Sequence, residues 1–432
     1  MNTPFRCREI TVLPLKTSGI FAHYLGTTRE LVERGISLGS RTATPSHAPT
    51  GMDFTAVRRN NLAAVLRPVH YSGSITRAAL GPMTGLNRST IIALTNELIE
   101  RELVIESPPD MSIRRERGRP SALLHPNSLI GVGIISVDVR SVTTALVGLG
   151  GKILARHTVA RTTPPTIDDI RTLLHTPDAL AFGSAPSGFR CIGYVLTLSG
   201  MLSQDDQTIR LAPQLGWENV NVQQELAQTL DRPLSVITHA EAAALAETRF
   251  GGAKGFSDVV YIGGNDDGIT SVILVGGSPL RGSQGYAAQF GEFLTAPPRG
   301  TAGRTTARTV NDVVNRFNLL RAIGTEHASD SDIERALYEG ATDAIRAESA
   351  RQSEVLSVVF SNVINMLNPQ AILLNGFVNA IYGSDPGYLL TLLRRQCSAP
   401  LMENFQFLRS SLGEDAILIG AAEEALSVLL QN

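Results

Sequence analysis

Residues 74–104 read SITRAALGPMTGLNRSTIIALTNELIERELV, and their spacing decides the fold of the first third of the chain. Ser74 is a good N-cap for a short helix running through Ile75, Ala78, Ala79 and Leu80 to Gly81. The turn Thr84-Gly85-Leu86 follows, and Asn87 caps a second helix that sets Ile91, Leu94, Thr95, Leu98 and Ile99 on one face. Two helices joined by a glycine-bearing turn are a helix-turn-helix. Working outward, Ala56 to Arg67 reads as a preceding helix, with Val57, Leu62, Val65 and Leu66 near helical spacing and Pro68 as its stop. On the other side, Leu103 to Glu106 and Ser121 to Leu124 read as two strands around SPPDMSIRRERGRP. The sum is a winged helix over residues 52–126.

Burial of Ile91, Leu94 and Leu98 assigns the opposite face of the second helix to a major groove. Arg88, Ser89, Thr90, Ile92, Ala93 and Asn96 are the candidate contacts. Arg88 and Asn96 match guanine and adenine edges, and Ile92 and Ala93 match thymine methyls. In the wing, Arg114, Arg115, Arg117 and Arg119 surround Gly118 and Pro120. A narrow Arg-Gly-Arg-Pro tip suits guanidinium insertion into an A·T-rich minor groove. A solvated hairpin is the alternative reading of the basic loop taken alone.

Charge divides the chain in the same place. Residues 1–125 hold 16 Lys and Arg against 10 Asp and Glu, whereas the remainder holds 22 against 30, under a total of −2. A basic unit on an acidic body fits a nucleic-acid-facing module attached to something with another job. Residues 1–51 end in GSRTATPSHAPTG, without periodicity, and read as a disordered arm or linker; a start near Met52 fits equally. At 43% hydrophobic and 18% charged the composition is that of a globular protein. No apolar run is long enough to span a bilayer, and Arg6, Arg8, Glu9 and Lys16 break up any signal peptide, so the expectation is a cytoplasmic protein without a membrane partner. Cys7, Cys191 and Cys397 form no CxxC pair, which excludes a disulfide framework and a cysteine-based zinc site.

Beyond residue 127 strands and helices alternate. Leu129–Val137, Thr143–Val147 and Lys152–Leu154 read as a strand meander, and Cys191–Leu198, Ser235–Thr238, Val259–Ile262 and Ser271–Val275 as further strands. Helices are expected at 167–174, 222–229, 241–250, 309–323, 331–366 with a break, and 415–430. This is an α/β body of two lobes over residues 127–432.

Several segments in order resemble the ROK proteins, a family of repressors, open reading frames and sugar kinases. They are RRNNLAAVL, GLNRSTIIALTNELIERELV, GRPSALLHPN, LAPQLGWENV, AEAAALAE, GSPLRGSQGYAAQFGEF, LNPQAILLNG and ILIGAAEEAL, and the likeness covers roughly residues 55–430. The resemblance implies an actin-like, sugar-kinase-type body of two α/β lobes, preceded in the repressor branch by the winged helix. It also implies a homo-oligomer on a pseudo-palindromic double-stranded operator. Position by position, however, the kinase parts are altered. The family's Asn-Asp-Ala-Asn segment, whose Asp deprotonates the sugar hydroxyl, is here Thr238-His239-Ala240-Glu241. The Gly-rich phosphate loop is Asp266-Asp267-Gly268-Ile269-Thr270-Ser271-Val272, and two carboxylates there repel a triphosphate. The Asp of the first strand motif aligns with Gly133. ATP-dependent transfer is therefore expected to be absent.

The family's zinc ligands, one His and three Cys, fall on Glu292, Pro297, Arg299 and Arg304, so neither metal nor cofactor is expected. The sugar contacts fall on Thr238, His239, Gln289 and Glu292, polar groups of altered type that still suit hydrogen bonding to an effector. Arg299 and Arg304, if turned inward, favour a sugar phosphate. An empty, vestigial cleft stands as the alternative. The lone Trp217 is expected to pack in the core. The reading is thus a carbohydrate-related transcriptional regulator, against a sugar kinase with an appended domain or a protein-binding adaptor.

Overall fold

The computed structural model describes residues 54–108, 121–176, 180–203, 208–226, 228–266, 268–295 and 308–430. The wing residues Arg114, Arg115, Arg117, Gly118 and Arg119 lie outside these, as do Asp267, Pro297, Arg299, Arg304 and the arm 1–51.

The first unit is α1 (Phe54–Ser72), β1 (Ile75–Thr76), α2 (Arg77–Thr84), α3 (Arg88–Glu100), β2 (Val104–Ser107) and β3 (Leu123–Pro126). The strands form an antiparallel sheet in the order β1-β3-β2. This is the element order of a winged helix. Three details correct the sequence reading. Pro68 does not stop α1, which runs on to Ser72. Proline removes one backbone donor, but Val69 and His70 beyond it are fully buried, and that burial holds the last turn. Ser74 is not the cap of α2: Thr76 is, its hydroxyl accepting from Ala79 N at 3.3 Å, because Ile75 and Thr76 are pinned to Leu124 and Leu123 as a strand. Nor does α2 end at Gly81; it reaches Thr84, and Gly85, at φ +70, makes the left-handed C-cap. Asn87 caps α3 as expected, accepting from Thr90 N at 2.9 Å.

The body repeats one sheet plan twice. In the first lobe β4 (Ile130–Asp138), β5 (Ser141–Gly148) and β6 (Lys152–Ala160) are an antiparallel meander. Helix α4 (Ile167–Leu174) leads to β7 (Arg190–Leu198), which pairs parallel with β4. A small antiparallel layer of β8 (Met201–Leu202), β9 (Thr208–Ala212) and β10 (Trp217–Asn221) follows, then α5 (Val222–Leu226), β11 (Leu234–Thr238), parallel to β7, and α6 (His239–Arg249). The sheet order is β11-β7-β4-β5-β6.

In the second lobe β12 (Val259–Asn265), β13 (Gly268–Val275) and β14 (Ser278–Pro279) are again a meander. The two-stranded ribbon β15 (Leu294–Thr295) and β16 (Arg308–Thr309) and helices α7 (Val310–Val313), α8 (Arg316–Ile323), α9 (Asp330–Tyr338) and α10 (Asp343–Leu367) come next. Then follow β17 (Ala371–Asn375), α11 (Gly376–Ser384), α12 (Pro386–Gln396), α13 (Ala399–Met402), β18 (Gln406–Arg409) and α14 (Asp415–Leu430). The order β14-β13-β12-β17-β18, with β12, β17 and β18 parallel, mirrors the first sheet. Such duplicated mixed sheets are the actin-like, sugar-kinase fold.

The single helix expected at 309–323 is two, because Asn315 caps α8 by accepting from Asn318 N at 3.0 Å. The break expected within 331–366 falls between α9 and α10. The sequence reading missed β8 to β10, β17 and β18. Trp217 is a core residue, 5% exposed, its indole N–H donating to Pro165 O at 2.9 Å.

Helix α14 decides how the parts meet. Leu418, Ala421, Ala422, Leu426 and Leu430 share one buried cluster with Val132 and Ile134 of β4 and with Leu62, Val65, Leu66 and Val69 of α1. On its other side Ala416 and Ile419 join Ala243, Ala244 and Ala246 of α6 and Val259 and Tyr261 of β12. The winged helix and the first lobe therefore have a common core.

Candidate functional sites: an exposed helix face and an interlobe cleft

In α3, Ile91, Leu94, Thr95 and Leu98 are buried. Arg88, Ser89, Ile92, Ala93 and Asn96 are exposed and Thr90 is half-buried, so the structure brings the six candidates of this helix onto one outward side. The cap shapes two of them. Ser89 Oγ donates to Asn87 Oδ1 at 2.7 Å, and the exposed Arg88 begins the helix where its positive dipole end lies.

Arg77 locks this face, and no local pattern of residues marks it for that role. Its Nε donates to Thr95 Oγ1 at 2.9 Å, one Nη to Asn96 Oδ1 at 3.3 Å, and both Nη groups engage the Glu106 carboxylate on β2. The Arg77 hydrogen bond holds the Glu106 carboxyl below its ordinary value. A guanidinium is suited to this fork.

The second site is a cavity of about 260 Å³ between the lobes, and Thr238, His239, Gln289 and Glu292 all line it. The four effector candidates are thus brought together from separate parts of the chain. Thr238 ends β11 and caps α6, its hydroxyl oxygen 3.2 Å from Glu241 N. His239 is the first residue of α6 and only 2% exposed. Its Nε2 lies 3.2 Å from Ser136 Oγ, and its Nδ1 lies 3.3 Å from Ser199 Oγ and 3.7 Å from Asp138 Oδ1. Across the cavity Glu292 accepts from Asn311 Nδ2 at 3.2 Å, while Asn311 Oδ1 accepts from Ile269 N at 2.9 Å. Arg281 stands 3.6 Å from Glu241.

Ser136, Asp138, Ser199, Glu241, Arg281 and Asn311 were missed as site residues. Strand ends carry no sequence label for which lobe they face, and Gly133 drew the alignment away from its neighbours. Gly133 cannot carry a cleft-facing carboxylate: a Cβ there would lie 2.5 Å from the Tyr194 ring. The strand delivers Asp138, at its end, to the cleft instead.

Where the family's phosphate loop aligns, β12 and β13 make a hairpin whose described tip residue Asp266 is 3.2 Å from Arg316 Nε. Arg316 also pairs with Asp330. The adjoining recess is lined by Asp138, Asp266, Asp330 and Glu414 with only Arg140 and Arg316 for balance. Such a surface disfavours a triphosphate. Among the described residues no group of three or more His, Cys, Asp and Glu is placed to hold a metal. No described helix is long and apolar enough to cross a membrane.

A duplicated mixed sheet, a cleft between the copies and a winged helix in front define a sugar-kinase-like body with a helix-turn-helix head. The ROK family model matches residues 133–427, and the chain belongs to the ROK family. It is 25% identical over 380 residues to a xylose repressor of Bacillus subtilis, covering 85% of this chain and 95% of the repressor. It is also 25% identical over 321 residues to a glucokinase of Streptomyces coelicolor, covering 67% of this chain and 96% of the kinase. Among solved structures, a ROK family transcriptional regulator described as a homologue of the E. coli MLC protein superposes with a TM-score of 0.67 at 23% identity, covering 87% of this chain and 98% of that one. A ROK glucokinase from Streptomyces griseus with glucose and AMPPNP gives 0.55 at 21% identity, over 69% and 99%.

Proposed function

We propose that the protein is a transcriptional repressor of carbohydrate-related genes, with DNA read by residues 52–126 and a small polyol or sugar sensed by the cleft of residues 127–432. The observation that carries the proposal is the exposed α3 face, braced by Arg77 and free of core duties, on a chain aligned along 95% of a xylose repressor. Arg88 and Asn96 are assigned to base edges, Ser89 and Thr90 to phosphates or bases, Ile92 and Ala93 to thymine methyls, and Arg114, Arg115, Arg117 and Arg119 about Gly118 to the flanking minor groove. A dimer with two such helices about 34 Å apart matches a pseudo-palindromic operator.

In the body, Thr238, His239, Gln289 and Glu292 offer donors and acceptors to hydroxyl groups. His239 aligns with the family's catalytic Asp, and the hairpin that aligns with the family's phosphate loop borders the carboxylate-rich recess through Asp266. The cleft thus serves as a sensor without phosphoryl transfer, and the effector acts by preferring one lobe arrangement.

Selection of genomic fragments by the purified protein tests this. Recovery of one palindromic site with A·T-rich flanks supports the repressor; retention of no sequence above background refutes it. In parallel, ATP turnover with any of a panel of sugars, lost in His239→Ala, establishes the kinase alternative, which the glucokinase relatives keep in view.

A further inference from the structure

The last turn of α1 is fastened to the body by groups the regulator reading has not used. His70 is fully buried, and its Nδ1 accepts the Gly150 N–H at 2.9 Å. Its proton is therefore on Nε2, which donates to Glu423 Oε1 at 2.7 Å. Tyr71 donates its hydroxyl to the other oxygen, Glu423 Oε2, at 2.9 Å. Burial, and next the Glu423 charge, push the Tyr71 phenol well above its ordinary range, so it remains a donor. Phe250, just past α6, meets both rings edge-on, each with centroids 5.3 Å away. Lys254 Nζ donates to Tyr71 O at 3.0 Å, and Arg67 Nε to Leu430 O at 2.8 Å.

The other end of this assembly lies in the cleft. Helix α6 starts at His239 and packs on α14 so closely that a Cβ on Gly420 would fall 1.6 Å from Ala242 O. Glu247, buried on α6, accepts from Gly252 N at 2.7 Å, Ser410 Oγ at 2.7 Å, Ser411 N and Leu412 N at 2.8 Å, and Ser411 Oγ at 3.2 Å. Five donors on one carboxylate bind the end of α6 to the loop that enters α14 and so fasten the two helices to each other. One end of this pair touches the cavity and the other holds α1.

We infer that the α6–α14 pair transmits the state of the cleft to the DNA-binding unit, and that Glu423 with His70 and Tyr71 is the joint through which it acts. Removing one partner leaves a buried polar group short of its bond, which is how a small displacement of α14 becomes a change in α1. The inference rests on the regulator reading for its purpose, and its test requires neither DNA nor an effector.

The full chain is compared by hydrogen exchange with Gln289→Trp, which fills the cavity from the segment between β14 and β15, and with Tyr71→Phe and Glu423→Gln, alone and combined with it. Gln289→Trp is expected to change exchange both in α6 and in Leu62–Ser72, the latter by about fivefold, the lower end of usual site-to-site coupling. In the Tyr71→Phe and Glu423→Gln backgrounds the α6 change persists and the Leu62–Ser72 change falls below about twofold. An equal change at Leu62–Ser72 in all backgrounds overturns the joint, and no change there in the parent overturns the transmission. Tyr71→Phe keeps the ring in place, so at least one variant remains folded. Failure of the regulator reading is separate: it appears as absent DNA selection with these exchange effects intact.

Discussion

Gly420→Ala isolates the contact on which coupling of the two sites depends. In an exposed helix interior this change would stabilise by about 1 kcal/mol, since alanine loses less backbone freedom than glycine. Here the added methyl would sit 1.6 Å from Ala242 O and 2.3 Å from Ala242 C. Reaching ordinary contact at 3.4 Å requires α14 to retreat from α6 by roughly 1.8 Å. The obstacle is backbone on a helix pinned by Glu247, so no side-chain rotation relieves it. Overpacking costs about 1–3 kcal/mol where side chains can yield. A displaced helix pair puts the net loss near the top of that range, about 3 kcal/mol after the propensity gain. For a body of some 300 residues, an unfolding entropy of about 0.6 kcal/mol per kelvin turns that into a fall in Tm of about 5 °C. Glu423 lies one turn further along α14, so its bonds to His70 and Tyr71 lengthen as well, and DNA affinity falls more than the loss of stability alone would give. Calorimetry with fluorescence anisotropy on the selected DNA measures both. An unchanged or raised Tm would refute the close approach and, with it, the account of α6 and α14 as a single block.

Further expectations address each site. Asn96→Ala is expected to cost about 1–3 kcal/mol on the selected sequence and to relax specificity at one base pair, whereas a uniform loss across all sequences would mean a phosphate contact. Arg77→Ala removes a donor from buried Thr95 and the fork on Glu106; a stability loss of about 1–2 kcal/mol is expected in urea titration, with lysine failing to restore DNA binding, and full restoration by lysine would contradict the fork. Wild-type protein with ATP and a sugar panel should give no phosphorylated product by coupled assay, and turnover above background would overturn the sensor reading. The Thr166 backbone N–H, followed by its hydroxyl and Arg161, holds the Asp169 carboxyl at about 2, below its usual 3.8. A depressed folded value contributes stability present above about 4 that is lost as pH falls toward 2. Thr166→Ala should raise the Asp169 titration midpoint by NMR, and an unmoved midpoint would deny the capping box.

The local rules of helix and strand made much of this protein legible from its residues. Ile91, Leu94, Thr95 and Leu98 recur at helical spacing, so the outward face of α3 follows from geometry alone, and the helices at 167–174 and 415–430 appear where the periodicity puts them. Caps are equally local, which is why Asn87 was found. Thr76 was not, because its role depends on Leu123, nearly fifty residues away, pairing with it as a strand. Pro68 failed as a stop for the same kind of reason: the burial that carries α1 past it comes from α14. In the cleft, four altered positions were identified through a family resemblance, but Ser136, Asp138 and Ser199 reach His239 only because β4, β7 and β11 lie side by side in one sheet, and Asn311 reaches Glu292 only when α7 packs back on the second lobe. No period or motif encodes a contact between the ends of strands that are neighbours in a sheet but far apart in the chain. The residues taken alone were enough for the helix-turn-helix, the meander of the first lobe and the outward face of α3, and the family resemblance picked out the altered positions of the cleft. That a histidine in the last turn of α1 donates to a carboxylate more than 350 residues later follows from the tertiary structure, because only packing brings distant side chains into hydrogen-bonding range.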